Sequence, residues 1–249
     1  MLAAGAGARL APLTSLRPKA LCPVANRPLV DHALDRLAAT GVPQGATAVN
    51  LHAGAALIDA HLPVALHRSF EAAEALGTAG AIGNLRTWLD GRDVLVTNAD
   101  AWLPADLDLA AFVGHWDRVR VRLLCTIDPA RGDFGDRRYC GVALLPGAAA
   151  SRLRAEPSGL YEASWRQEAA AGRLDLVDHH GAFVDCGTPS DYLEANLLAA
   201  SGRSTIDPGA TIDPSALVER SVVWDRSEVV AGERLVDAIR AERLTVLVR

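Results

Sequence analysis

Apolar and polar positions follow two rhythms along the chain as far as about residue 200. Val30, Leu34 and Leu37 recur at helical spacing ahead of Gly41, a helix stop, while Asn26 and a first-turn Pro28 supply a start. The pattern therefore predicts a helix capped at Asn26. Residues 47–51 and 94–97 are short apolar runs and read as buried strands. Between 118 and 127, Val119, Val121, Leu123, Cys125 and Ile127 alternate with Arg118, Arg120 and Arg122. That period of two predicts a half-exposed strand with a solvated arginine face. A further helix is predicted over 191–200, after the turn Gly187-Thr188-Pro189. Strands alternating with helices imply an α/β domain with a mostly parallel sheet covered on both faces.

Beyond Gly202 the texture changes. Ile206-Asp207-Pro208-Gly209-Ala210-Thr211 is followed at once by Ile212-Asp213-Pro214-Ser215-Ala216-Leu217, a six-residue repeat with an aliphatic residue at constant phase. Val222-Val223-Trp224 and Val229-Val230 continue it with looser spacing. Short repeats of this kind stack into parallel β-helical coils, each aliphatic position pointing inward. The predicted division is a domain over 1–202 and a repeat tail over 203–249.

Half of the 249 residues are hydrophobic and 22% are charged, as in a folded chain. A net charge of −5 argues against a general nucleic-acid binder. The four cysteines, Cys22, Cys125, Cys140 and Cys186, form no C-x-x-C pair, so neither zinc nor a disulfide framework is expected. Apolar runs stay short of a membrane span, and the start lacks the basic region of a signal peptide. A cytoplasmic protein with no membrane partner is the expectation. The basic residues are lopsided: 24 of 25 are Arg, and Lys19 is the sole lysine. Retention of one ammonium in such a chain points to a chemical need for it.

The chemistry concentrates near the start. Arg9, Arg17, Lys19 and Arg27 precede the first acid, Asp31, which implies a focused positive field suited to an anion. The same stretch carries Gly5-Ala6-Gly7, a loop whose backbone N–H groups can approach phosphates closely. It is not a dinucleotide fingerprint, because Leu10 stands where the third glycine belongs and no acid follows about 20 residues on. Nor is it a P-loop, which needs Gly-Lys-Ser/Thr. Arg9 can fork onto phosphate oxygens while Lys19 supplies a compact charge. Asp100, in Asn98-Ala99-Asp100, and Asp185 each end an apolar strand-like run. Ligand crevices of open α/β sheets lie at such strand ends, where two carboxylates could share one Mg²⁺ with phosphate oxygens. Trp102 is the tryptophan placed to flank such a site.

These residues carry a resemblance. LAAGAGARLAPLTSLRPKALCPVANRPLV resembles the signature of the sugar-1-phosphate nucleotidyltransferases, or NDP-sugar pyrophosphorylases. LGTAGAIG, NAD, YCGVALL and FVDCGTPSDYLEAN follow in the family's order, and the terminal repeats resemble the left-handed β-helix appended in many members. The resemblance implies a Rossmann-like three-layer domain that transfers a nucleoside monophosphate from an NTP to a sugar 1-phosphate, releasing pyrophosphate. It implies that Leu2, Ala3, Ala4, Gly5 and Gly7 hold the nucleotide together with Asn98, and that Arg9 meets the triphosphate. Lys19 would face the attacked α-phosphorus, Gly77 and Thr78 the base, and Gly141 the sugar. Asp100 and Asp185 would bind Mg²⁺. The LGTAG form is most similar to mannose-1-phosphate guanylyltransferases, which suggests GTP and mannose 1-phosphate. A homo-oligomer is expected through the terminal repeats.

Three departures from the family's pattern stand out. Only Met1 and Leu2 precede the loop, so the first strand is short and a start upstream is expected. The usual second lysine on the sugar phosphate is missing, leaving Arg131, Arg137 or Arg138 as substitutes. The span between Ile127 and Tyr139 is short, which predicts a reduced sugar-side lid. The short first strand and the missing second lysine also support an alternative, a non-catalytic nucleotide-sugar-binding regulatory homologue.

Overall fold

The structure is a computed structural model that describes residues 1–248. Two compact units emerge, interleaved in sequence rather than divided at residue 202. The first comprises Met1–Gly5, Ala33–Ala99 and Ala105–Gly181; the second comprises Ala6–His32, Asp100–Pro104 and the described residues from Ala182 onward.

In the first unit, Val94–Thr97 runs antiparallel to Arg137–Leu145, which runs antiparallel to Val121–Ile127, which pairs in parallel with Leu174–Asp178. Ala48–Leu51 pairs in parallel with His67–Phe70. Leu2 forms parallel bridges to both Asn50 and Asn98, so this short segment joins the two ladders. All of these segments run in one direction except Arg137–Leu145, so the sheet is mostly parallel, as the sequence pattern predicted, with one antiparallel strand inserted in it. The cause of that reversal is the link 128–136, which is shorter than the crossover of about a dozen residues that parallel neighbours need. Ile82, Leu85 and Leu89 cover the sheet residues Val96, Val121, Leu123 and Leu145, and Trp165 and Leu160 complete this core.

Two local expectations are corrected. Asn26 does not cap the helix, which spans Leu29–Ala39. Ala25 and Asn26 have φ of 51° and 60° and turn the chain between the paired strands Pro23–Val24 and Arg27–Pro28. Asn tolerates this left-handed conformation, and two such residues suit a tight hairpin. The arginine stripe is not uniformly solvated either. The strand starts at Val121, and Arg122 is buried, its Nε donating to Asp175 at 2.7 Å and its Nη atoms to the carbonyls of Phe112 and His115. Arg118 and Arg120 remain exposed. The helix Pro189–Ala199 forms near its predicted place. Its capping box has Thr188 Oγ1 accepting from Asp191 N while Asp191 Oδ2 accepts from Thr188 N.

In the second unit the repeats form stacked coils. Thr205–Ile206, Val222–Val223 and Ala238–Ala241 make one parallel ladder, Thr211–Ile212 and Glu228–Val229 a second, and Leu217–Glu219 and Arg234–Val236 a third. Paired residues lie 17 positions apart in all three ladders, so each coil has three short sides. Val223, Val229, Leu235 and Ala238 fill the coil interior. Leu244–Leu247 folds back antiparallel onto Ala238–Ala241. A separate core gathers Leu10, Leu13, Cys22 and Leu29 from the N-terminal signature with Tyr192, Val222 and Trp224. Shared burial with the coils is why these signature residues pack with the tail. Among the described residues no helix is long and apolar enough to cross a membrane.

Candidate active site

Within the second unit, four residues singled out in the sequence gather about a fifth, Lys19, whose ammonium meets Asp100 and Asp185. Gly7, at φ 63°, turns the chain into Ala8–Leu10. A Cβ there would lie 2.9 Å from both Lys19 Cβ and Thr14 Cγ2, so only glycine fits this close approach. Lys19 is 5% exposed. Its Nζ donates to Asp100 Oδ2 at 2.9 Å and to the Asp185 carbonyl at 3.0 Å, and lies 3.7 Å from Asp185 Oδ1. Arg9, far more exposed, reaches Asp185 Oδ2 at 3.4 Å. An ammonium this buried is tolerable only because anionic and carbonyl oxygens replace its water. Removing one partner of such a pair typically costs about 3–5 kcal/mol.

The two aspartates converge for a backbone reason. Trp102 and Val184 form an antiparallel bridge, Trp102 N donating to Val184 O at 2.8 Å and Val184 N to Trp102 O at 3.0 Å. Asp100 and Asp185 flank that bridge. Trp102 is itself buried and acts on the site through its backbone. Lys19 is steadied from the same loop. Arg17 donates to Asp225 Oδ1 at 2.7 Å, with its guanidinium 4.3 Å from the centre of the Trp224 ring. Trp224 Nε1 in turn donates to the Tyr192 hydroxyl at 2.9 Å. The sequence pattern marked Arg17 only as one of four cations in a positive field and did not mark Trp224 as part of a site. Cys186 adjoins Asp185, and burial pushes its thiol well above the usual range, so it is no nucleophile.

Two carboxylates facing one cation form a hard-oxygen pair of the kind Mg²⁺ uses together with substrate phosphates. Among the described residues no group of three or more His, Cys, Asp or Glu is placed to hold a metal, so further oxygens would come from substrate or water. The donor chemistry fits the ion on those terms.

The first unit carries the remaining predicted residues. Leu2 N donates to Thr97 O at 2.8 Å and Ala99 N to Leu2 O at 2.9 Å, which fixes the start of the loop; Ala3 and Ala4 are buried and Gly5 exposed. Ala3 N donates to Asn50 Oδ1 at 2.7 Å. Gly77, at φ 69°, passes so close to Ser158 that a Cβ would meet its carbonyl oxygen at 2.6 Å. Thr78 Oγ1 accepts from Leu160 N at 2.9 Å. Asn98 N donates to Gly141 O at 2.8 Å, and Asn98 Oδ1 is buried with no partner among the described residues. Of the arginines proposed to replace the missing lysine, Arg137 is forked onto Asp178 at 2.8 and 2.9 Å. Arg131 and Arg138 both approach Asp128. Sequence reasoning missed Asn50 and Glu71, both buried and bonded to each other. The signal for Asn50 was there: an amide inside the apolar run 47–51. The predicted residues thus form two groups. Gly7, Arg9, Lys19, Asp100 and Asp185 belong to one unit, and Leu2, Ala3, Ala4, Gly5, Gly77, Thr78, Asn98 and Gly141 to the other. The chain passes directly between the units at Gly5–Ala6 and Ala99–Asp100.

The profile of a family described as nucleotidyl transferase matches residues 1–130. The N-acetylmuramate alpha-1-phosphate uridylyltransferase of Caulobacter vibrioides is 39% identical over 234 residues, covering 80% of this chain and 96% of that protein. The mannose-1-phosphate guanyltransferase of Aspergillus fumigatus is 28% identical over 231 residues, covering 80% of this chain but only 63% of that longer protein. Among solved structures, a protein assigned as a glucose-1-phosphate thymidylyltransferase from Bacillus anthracis superposes with a TM-score of 0.67 at 18% identity, covering 80% of this chain and 93% of that one. That likeness is one of fold.

Proposed function

The chain belongs to the nucleotidyl transferase family, and from that premise we propose that it joins a sugar 1-phosphate to the nucleoside monophosphate portion of an NTP, releasing pyrophosphate. The observation that carries this reading is the Lys19 ammonium held between Asp100 and Asp185. In-line attack of a sugar-phosphate oxygen on the α-phosphorus builds negative charge on the phosphoryl oxygens. Lys19 stabilises that charge, and the exposed Arg9 guanidinium forks onto the departing phosphates. Asp100 and Asp185 would hold Mg²⁺, which neutralises triphosphate charge when bound. Residues 2–5 and Asn98 are assigned to the nucleotide, Gly77 and Thr78 to the base and Gly141 to the sugar. Such a reaction needs alignment and charge neutralisation and no protein nucleophile.

Two substrate pairs have support. The LGTAG segment favours GTP with mannose 1-phosphate. The relative with higher identity, matched over 96% of its length, favours UTP with N-acetylmuramate 1-phosphate. We rank the second pair first, because it rests on a match over 80% of the chain and not on one segment. We read residues 1–202 as the catalytic portion and 203–249 as a left-handed β-helical tail that serves self-association, in a cytoplasmic enzyme. Retention of the Lys19 cluster favours this over the non-catalytic alternative. The test is a matrix of four NTPs against several sugar 1-phosphates with Mg²⁺, read by mass spectrometry. NDP-sugar from one favoured pair, abolished by EDTA, is expected; no NDP-sugar from any pair contradicts the reading.

A further inference from the structure

Asn50 lies inside the apolar run 47–51 and Glu71 directly follows the strand His67–Phe70, and they are only 3% and 4% exposed. A carboxylate buried to this degree must have its oxygens bonded. Glu71 Oε1 accepts from Asn50 Nδ2 at 2.8 Å, and Oε2 accepts from Leu76 N at 2.8 Å. Asn50 Oδ1 accepts from Ala3 N at 2.7 Å. The result is a relay from the backbone of Ala3 through two side chains to the backbone of Leu76. Every link has a fixed donor and a fixed acceptor. Leu76 directly precedes Gly77 and Thr78, which are pinned on their other side by Ser158 and Leu160. Both ends of the relay therefore lie in segments assigned above to the nucleotide.

We propose that Asn50 and Glu71 form a positioning clasp that sets the separation between residues 2–5 and the Leu76–Gly77–Thr78 segment, and so governs which nucleobase the site accepts. The inference rests on the proposed nucleotidyl transfer. Neither residue touches the reacting atoms; both act through the backbones they hold. An intact clasp fixes one width for the base, and a broken one admits bases of other sizes and binds the preferred base less well.

Donor polarity supplies the test. Glu71→Gln places an amide NH₂ against either Asn50 Nδ2 or the Leu76 N–H, donor against donor. The double variant Asn50→Asp/Glu71→Gln moves the carboxylate to position 50 and the amide to position 71, and every bond in the relay regains a donor and an acceptor. Glu71→Gln is expected to raise the KM and Kd for the preferred NTP by about tenfold and to cut the kcat/KM ratio between preferred and other NTPs about as much, the loss expected for one buried bond to a charged group. The KM for the sugar 1-phosphate should stay put. The double variant should recover both nucleotide parameters. If Glu71→Gln fails to fold, Glu71→Asp, one methylene too short to span both partners, replaces it with the same expectation. An active wild type whose NTP KM and base preference ignore these changes, or a folded double variant that recovers neither, overturns the clasp. Absence of wild-type turnover with every NTP would instead refute the functional reading, and NTP binding by calorimetry would then decide on the clasp by the same rescue.

Discussion

Lys19 is where composition, geometry and chemistry coincide. Its ammonium replaces water with two carboxylates and a carbonyl. Lys19→Ala is expected to lower kcat by about 10²–10³, the usual effect of losing one donor to a developing oxyanion. Lys19→Arg should recover little, because a planar fork cannot occupy the space of a buried ammonium hydrogen-bonded to Asp100 Oδ2 and the Asp185 carbonyl. Steady-state pyrophosphate release checks both, and wild-type kcat in Lys19→Ala would exclude this role. The thiols make a second prediction. Burial pushes Cys22, Cys125 and Cys140 up to about 12. The native chain should therefore resist a thiol reagent at pH 8 and react fully only after denaturation. The folded state holds these protons while the unfolded chain releases them near pH 9. Stability should fall as pH rises from about 9 towards 12, read as a declining urea midpoint. The lone lysine, the Gly7 turn and both aspartates were legible in the sequence. Asn50 left a signal, an amide inside an apolar run, but Glu71 did not, because its burial follows from partners that folding brings to it, Asn50 21 positions away and the Leu76 N–H.

Elements were legible where the pattern had one period and one environment. Ala48–Leu51, Val94–Thr97 and Pro189–Ala199 lie where apolar runs and a turn signal placed them. The helix start failed at Asn26 because the same residue type serves a cap and a left-handed turn, and pairing with Pro23–Val24 decided between them. Arg122 failed because a strand position facing outward can still be covered, here by the segment carrying Phe112 and His115. The repeat announced parallel coils, but not that Trp224 would leave the coil interior to join the signature's core. Trp224 is fully buried and its indole N–H is bonded. Trp224→Ala should destabilise by about 3–5 kcal/mol. Trp224→Phe should cost less, mainly the lost bond to Tyr192. Urea unfolding followed by circular dichroism measures both. Indistinguishable midpoints for the alanine variant and the wild type would show that this core does not bear on stability.

For the whole molecule, motif order along the chain pointed to the family, and the family profile over residues 1–130 supports it. The mostly parallel sheet was legible, but its one antiparallel strand, Arg137–Leu145, was hidden because strand pairing is a long-range property; only the short link 128–136 hinted at it. The reading as a mannose-1-phosphate guanylyltransferase rests on one segment, whereas the relative matched along 96% of its own length is an N-acetylmuramate alpha-1-phosphate uridylyltransferase. The most direct test of the central claim is the stoichiometry of one reaction: the purified chain with Mg²⁺, its favoured NTP and sugar 1-phosphate, with pyrophosphate and NDP-sugar quantified together. The account predicts one pyrophosphate per NDP-sugar, with both products absent when either substrate is withheld. Pyrophosphate released without sugar transfer, or NDP-sugar formed without pyrophosphate, would contradict it.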